Sequence, residues 1–335
     1  MPGILLSQPI IDVYGDQVLA ALPAGMSMQL VTNSAARPLD DATRDSLEVA
    51  FLSVDQIGPH ACNGNGKDLP AFFDTLLAAP NLRWLHICSA GTDRPQLAQL
   101  AQRGVVVTHS SGANAAAVAH VAMAGMLALA RDVPMWVRAQ AEHRWQTQRH
   151  EASPLDIDGT TAVVLGLGEI GRRIAKACRA LDMHVIGVRR RAQADPCCDR
   201  VVATAALRDV VREAQWLFVA CPLSDETRNL VDGEILALMP REGRLVNVGR
   251  GGVVDERDLL AALRAGDIAG AYMDVFATEP LPPDSPLWDA PNLLVSAHSA
   301  GASRGFGPRT AARFIDNLHR WSRGQALKDV ATFPG

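Results

Sequence analysis

Short apolar runs alternate with amphipathic stretches along most of this chain. In its first third, Ile4 to Ile10, Met28 to Val31, Val49 to Ser53, Trp84 to Cys88 and Val105 to Thr108 read as strands. Between them, Val13 to Leu22 (stopped by Pro23), Leu69 to Leu77 and Gln96 to Arg103 carry the helical period, and the Gly/Asn/Pro-rich Gly58 to Asp68 reads as a loop. Such alternation predicts a small doubly wound α/β domain. Ala115 to Glu142 then predicts one long helix, apolar nearly all round and therefore buried, against another domain or another subunit. A loop with Trp145, His150, Pro154 and Gly159 leads into a second series of βα units. Its strands are Val163 to Leu165, Val185 to Val188, Trp216 to Cys221, Arg244 to Val248, Ala269 to Asp274 and Leu293 to Ser296. Its helices include Glu169 to Ala180, Glu234 to Met239 and Glu256 to Ala265. A last helix, Gly305 to Arg323, has no strand after it and is expected to pack back on the first domain.

The second series opens with Val163-Val164-Leu165-Gly166-Leu167-Gly168-Glu169-Ile170-Gly171, in strand–turn–helix context. Gly166 permits a tight turn, Gly168 lets backbone approach a pyrophosphate, and Gly171 lets the helix lie close to the strand. The helix from Glu169 aims its first N–H groups, Glu169 and Ile170 among them, at that pyrophosphate. A dinucleotide site follows. At the end of the next strand, where an NAD site usually carries an acidic residue for the ribose 2′-OH, stand Arg189, Arg190 and Arg191. A run of arginines can be a solvated surface cluster. At this position a guanidinium fork matches a 2′-phosphate, which points to NADP(H), with NAD(H) as the alternative.

Composition narrows the class. With 335 residues the chain suits two domains, and 48 % hydrophobic with 20 % charged residues is ordinary globular usage. A net charge of −4 speaks against nucleic acid as a partner, and no apolar stretch is long enough for a membrane span. The amino terminus has no basic segment of a secretory signal. Cys62, Cys88, Cys178, Cys197, Cys198 and Cys221 lack disulfide or zinc spacing, so no metal is expected and a reduced, cytoplasmic setting is.

Chemistry in an open parallel sheet gathers beyond the carboxyl ends of its strands. Three polar residues stand at such ends: Arg250 in Asn247-Val248-Gly249-Arg250-Gly251-Gly252, Glu279 before Pro280, and His298 in Ser296-Ala297-His298-Ser299-Ala300-Gly301. An imidazole titrates near neutrality and can deliver a proton. A carboxylate on its far nitrogen fixes the tautomer and favours imidazolium. A guanidinium can bind a carboxylate or steady a developing oxyanion. Each also has a plainer reading, as a satisfied histidine, a surface arginine or a turn residue. His86, His109 and His120 lie in apolar or small-residue segments and read as structural.

These three runs, together with Ser89-Ala90-Gly91-Thr92-Asp93, the glycine fingerprint and Cys221-Pro222-Leu223 with Thr227, resemble the D-isomer-specific 2-hydroxyacid dehydrogenases over nearly the whole chain. Within that family the chain is most similar to the NADPH-dependent glyoxylate/hydroxypyruvate reductases. The resemblance implies a Rossmann-type dinucleotide-binding domain, 111–301, inserted in a smaller flavodoxin-like substrate domain, 1–110 and 302–335. It implies Arg250, Glu279 and His298 as the catalytic set. Ala90, Gly91 and Thr92 would then bind the substrate carboxylate through backbone N–H groups, with Arg250 and His298 also on the substrate. Cofactor contacts carried over are Gly166, Gly168, Glu169, Ile170, Gly171, Arg189, Arg190, Arg191, Cys221, Pro222, Thr227, Val248, Gly249, Arg250, Asp274, His298 and Ala300, with Asp274 on the nicotinamide carboxamide.

The expected activity is hydride transfer from NADPH to C2 of a small 2-oxo acid, giving the D-2-hydroxy acid, in a homodimer. The alternatives are the same family acting on a bulkier 2-oxo acid, phosphite or phosphoglycerate, and a dinucleotide-sensing corepressor-like protein. Two departures stand out. His120-Val121 occupies the place where many relatives have Glu-His, and the regulatory domain of some phosphoglycerate dehydrogenases has no counterpart in the sequence. An acidic residue at Glu279 is unlike the formate dehydrogenases.

Overall fold

The computed structural model describes residues 1–57, 69–148, 153–154 and 156–333. The Gly58 to Asp68 loop, Cys62 and His150 of the sequence reading lie outside the described residues. The chain divides into two compact units, Met1–Asn114 with Ser303–Gly335, and Ala115–Ala302.

The first unit holds strands β1 (Gly3–Leu5), β2 (Gln29–Val31), β3 (Leu47–Leu52), β4 (Trp84–Ile87) and β5 (Val106–His109). They form one parallel sheet in the order β2-β1-β3-β4-β5, the flavodoxin-like arrangement. Helices α1 (Gln8–Ala20), α2 (Asp41–Asp45), α3 (Val54–Ile57), α4 (Leu69–Ala78) and α5 (Pro95–Gln102) connect them. The first strand is shorter than the apolar run suggested. Ser7 caps α1 by accepting from Ile10 N, and Pro9 sits in its first turn, so Ile10 belongs to the helix. The C-terminal helix, Phe306–Trp321, buries Phe314 in this unit's core, where its ring stacks on Phe51 at 4.7 Å and on Trp84 at 5.3 Å between centroids.

The second unit begins with α6 (Ala115–Ala130) and α7 (Val133–Ala141). The single long helix expected over Ala115 to Glu142 is in fact this pair, bent by 71° at the break. Asp132 lies in the left-handed region (φ 54°), and Pro134 in the first turn of α7 supplies no N–H to continue the ladder. Among the described residues no single helix is long and apolar enough to cross a membrane.

Seven parallel strands follow: β6 (Thr161–Leu165), β7 (His184–Arg189), β8 (Arg200–Ala203), β9 (Trp216–Val219), β10 (Arg244–Asn247), β11 (Gly270–Met273) and β12 (Leu293–Val295). Their order is β12-β11-β10-β9-β6-β7-β8, which runs outward both ways from the first strand as a dinucleotide-binding sheet does. Helices α8 (Glu169–Arg179), α9 (Leu207–Val210), α10 (Gly233–Leu238) and α11 (Glu256–Ala265) lie between them. Strand β6 shows why its apolar run is continuous. Val163 and Leu165 enter the core on one face, and Ala162 and Val164 enter the core on the other.

Candidate active site

The order of strands places every candidate of the second unit along one edge. His298 follows β12, Glu279 follows β11, Arg250 follows β10, and these three strands are neighbours. Cys221, Pro222 and Thr227 follow β9, the glycine turn follows β6, and Arg189–Arg191 end β7. Because all seven strands are parallel, these positions share the carboxyl edge, with neighbouring strands roughly 4.8 Å apart.

Two of the three catalytic candidates are bonded to each other. His298 Nδ1 lies 2.8 Å from Glu279 Oε2, and Phe276 N donates to Glu279 Oε1 at 2.8 Å. The Glu279 side chain is 16 % exposed and that of His298 34 %, so the carboxylate is sheltered while the imidazole remains reachable. His298 itself has φ 47°, a region sparsely used outside glycine. The turn that holds it there is tied to Asp274. His298 N donates to Asp274 O at 2.8 Å, and the buried Asp274 carboxylate accepts from Ser299 N at 2.9 Å, from Ala300 N at 3.1 Å, and from Ser296 Oγ. Tyr272 Oη is 2.6 Å from Ser296 Oγ and extends the network inward, and burial pushes the Tyr272 phenol up to about 12. Such over-determination is what keeps a rare backbone conformation in place. Sequence reading gave Asp274 to the nicotinamide; its visible bonds organise the turn that carries His298.

Arg250 sits on a stiffened loop. Asn247 is fully buried; its Oδ1 accepts from Gly249 N at 3.0 Å and its Nδ2 donates to Arg250 O at 3.1 Å. Arg250 Nη1 donates to Gly249 O at 2.9 Å. Gly251 then presses on the next loop. A Cβ there would overlap the backbone carbonyl of Phe276, the residue whose N–H holds Glu279. The Arg250 loop and the Glu279 turn are thus in direct contact, a closeness that only glycine permits. Sequence reading missed Glu256, whose Oε1 accepts from Ala277 N at 2.6 Å and braces the same turn. Burial pushes its carboxyl above the ordinary range, the Ala277 bond works against that, and the nearby Asp255 and Glu279 charges add to the rise. The only sign in the sequence is its place in the first turn of α11, beside the Asp255 cap.

The cofactor side fits a dinucleotide. Gly166 has φ 100°, and α8 begins on Gly168 with no side chain capping it. A Cβ at Gly168 would meet nothing within 4 Å, so the space over the helix N-terminus is open. Arg189 is half-buried, whereas Arg190 and Arg191 are exposed. Arg190 Nε is 3.4 Å from Glu226 Oε2 on the loop after β9. Thr227 Oγ1 accepts from Ser224 N at 2.7 Å and donates to Pro222 O at 2.8 Å, which folds that loop. Cys221, Val248 and Ala300 are buried beneath the edge, and burial pushes the Cys221 thiol up to about 11. Ala90, Gly91 and Thr92 belong to the first unit, after β4, where Ser89 Oγ donates to Gly91 O at 3.1 Å. A separate cavity of about 620 Å³ involves Asp132, Arg244, Trp288 and Leu293. It opens at the amino ends of β10 to β12, the opposite edge from His298.

Comparison with known proteins identifies the family. Residues 123–300 match the model of the D-isomer specific 2-hydroxyacid dehydrogenase, NAD binding domain. A glyoxylate reductase from Aeropyrum pernix is 34 % identical over 262 residues, 75 % of this chain and 77 % of that protein. The glyoxylate/hydroxypyruvate reductase B of Yersinia pestis is 31 % identical over 301 residues, 89 % of this chain and 91 % of that protein. Among solved structures, a D-isomer specific 2-hydroxyacid dehydrogenase from Xanthobacter autotrophicus, in complex with NADPH and MES, superposes with a TM-score of 0.76. It is 29 % identical, covering 99 % of this chain and 98 % of that one.

Sheet, glycine turn and edge residues together define an oxidoreductase that binds a nicotinamide dinucleotide. The chain belongs to the D-isomer specific 2-hydroxyacid dehydrogenase family.

Proposed function

We propose that this protein reduces small 2-oxo acids of the glyoxylate and hydroxypyruvate class to D-2-hydroxy acids, with NADPH preferred over NADH. The observation that carries this reading is the 2.8 Å bond between Glu279 and His298 at the carboxyl edge of the dinucleotide-binding sheet. The reduced nicotinamide, when bound, supplies a hydride to C2 of the substrate. His298 supplies the proton to the carbonyl oxygen from Nε2. Glu279 accepts from Nδ1–H, which fixes the ring's orientation and balances the charge of its proton-bearing form. Arg250 binds the substrate carboxylate or carbonyl oxygen and stabilises the negative charge that develops there. Backbone N–H groups of Ala90, Gly91 and Thr92 hold the substrate carboxylate.

On the cofactor side, Gly166, Gly168 and Gly171 shape the turn, and the N–H groups of Glu169 and Ile170 meet the pyrophosphate. Cys221, Pro222 and Thr227 line the adenosine region. Val248, Gly249, Asp274 and Ala300 border the nicotinamide side. Arg189, Arg190 and Arg191 take the 2′-phosphate, and the NADPH in the Xanthobacter relative supports that choice.

A homodimer is part of the same reading. Trp145 is 94 % exposed, and Trp136 and Val137 on α7 are also open to solvent, an apolar surface that a second copy would cover. A cytoplasmic setting is part of the same reading.

The test is loss of reduced-nicotinamide absorbance with glyoxylate and hydroxypyruvate, run with NADPH and with NADH, and chiral analysis of the product. NADPH-linked turnover to the D-isomer is expected. Tight cofactor binding with no turnover across a panel of 2-oxo acids would replace the enzyme by a sensor.

A further inference from the structure

Between β7 and β8 the chain makes a loop that starts with the three arginines and returns through Ala192-Gln193-Ala194-Asp195-Pro196-Cys197-Cys198. Its exposed tip carries the candidate 2′-phosphate ligands. Its base is unlike a surface loop. The Asp195 side chain is only 3 % exposed, and its Oδ2 lies 2.7 Å from Nε of Arg172. Oδ1 accepts from Cys197 N at 3.1 Å, and Asp195 O accepts from Cys198 N at 3.0 Å, so the same residue folds the turn it anchors.

Arg172 stands on α8, three residues after Glu169 at the helix start. Two turns further along the same helix face, Arg179 Nη1 donates to Pro196 O at 2.9 Å, and its Nη2 lies 3.5 Å from Asp199 Oδ1. The loop is therefore stapled twice to the helix that presents its N-terminus to the pyrophosphate. It is also pressed onto the strand before it. A Cβ at Gly187, two residues before Arg189, would lie 2.5 Å from Leu167 Cδ1 in the glycine turn and 2.9 Å from Cys198 Sγ.

We propose that Arg172 and Asp195 are a positioning pair for cofactor selection: their ion pair sets the register of the Arg189–Arg191 loop against α8, and so sets the affinity for the 2′-phosphate. This rests on the NADPH reading above. Pyrophosphate and 2′-phosphate hang on one ribose and are only a few bonds apart, so two anion sites that bind them together must keep a separation the ligand can span. The helix supplies one site and the loop the other. The buried carboxylate joins them without touching the ligand itself. If the pair merely held the fold, its loss would weaken adenosine phosphates with and without the 2′-phosphate alike.

The test titrates the full chain calorimetrically with NADP⁺ and with NAD⁺, which share the pyrophosphate and differ only in the 2′-phosphate. For Asp195→Asn and Arg172→Gln we expect Kd for NADP⁺ to rise about tenfold while Kd for NAD⁺ moves less than about twofold. The double variant should be no worse than either single one, and the ratio of NADPH- to NADH-linked kcat/KM should fall by the same factor. Arg172→Gln keeps the proposal testable if Asp195→Asn folds poorly, because that side chain is 45 % exposed. Wild-type protein that does not distinguish the two ligands would overturn the NADPH reading, and this proposal with it. A Kd ratio in Arg172→Gln that stays at the wild-type value, whether both affinities are unchanged or both weaken alike, would overturn the positioning role alone.

Discussion

Gly171 packs directly against the carbonyl oxygen of Gly166: a Cβ at 171 would overlap that oxygen. Gly168, between them, faces open space instead. The glycines of one fingerprint therefore serve different ends. One lets helix α8 lie on its strand, and the other leaves room for a ligand. Gly171→Ala should cost about 2 kcal/mol or more in urea unfolding, because rigid backbone must move. Gly168→Ala should unfold much as wild type does and bind NADPH at least about tenfold more weakly, by fluorescence titration. Equal effects of the two substitutions on stability would contradict this division.

The bond between Glu279 and His298 leads to a kinetic prediction. His298→Asn should lower kcat by at least about a hundredfold, the scale of a lost general acid, with NADPH still bound. Glu279→Gln can keep the bond from Phe276 N through its carbonyl, but it then turns an amide N–H towards His298 Nδ1. That favours the neutral ring protonated on Nε2, a poorer proton donor, so kcat should fall about tenfold or more with a smaller change in KM for the oxo acid. Near-normal turnover in His298→Asn would remove it from the mechanism.

Both parallel sheets were legible because their buried strands are short apolar runs such as Val163 to Leu165. The shape of the second unit's edge was legible because polar residues end those runs. Other features were not. Strand β8, Arg200–Ala203, is an edge strand of half-buried and exposed residues, so it lacks the apolar run that marks its neighbours. The apolar stretch from Ala115 was read as one helix although Arg131-Asp132-Val133-Pro134 carries a break signal, a proline with no N–H to continue the ladder, and the backbone turns there by 71°. Asp195 sits in a polar, Pro-containing segment and reads as solvated. Its partner is Arg172, 23 residues earlier, and no local pattern encodes that pairing. The same holds for Asp274 and Ser296, bonded across two strands.

In the proposed function Arg189 and Arg190 bind the 2′-phosphate on the adenosine ribose. Arg190 and Glu226, 3.4 Å apart and both well exposed, form the kind of surface pair that contributes little to stability. Replacing Arg189 with Asp and Arg190 with Ala should therefore leave the melting temperature nearly unchanged. It should lower kcat/KM for NADPH about a hundredfold, since a carboxylate repels the 2′-phosphate and can bind a ribose hydroxyl. NADH-linked activity should hold or rise. Wild-type kinetics that are equal with the two nicotinamides would show that the arginines do not read the phosphate.

His86 links the first unit's stability to pH. Its ring is fully buried between Phe51, Trp84 and Phe314, with Nδ1 at 2.7 Å from Thr108 Oγ1 and Nε2 at 3.0 Å from Ser110 Oγ. Burial, helped by the positive charges of His109 and Arg313, pushes its pKa from 6.5 down to about 3. The folded chain thus keeps this ring neutral while the unfolded chain takes up a proton below pH 6.5. Stability is unaffected by this group at higher pH and is lost as the pH falls towards 3, by up to about 1.4 kcal/mol per pH unit. His86→Asn should be less stable than wild type at pH 7, through lost packing and hydrogen bonds. Its urea-unfolding free energy should nevertheless fall less steeply with acid, by about one proton, between pH 6 and pH 4. Parallel pH profiles for the two proteins would mean that His86 is protonated in the folded state as readily as in the unfolded one.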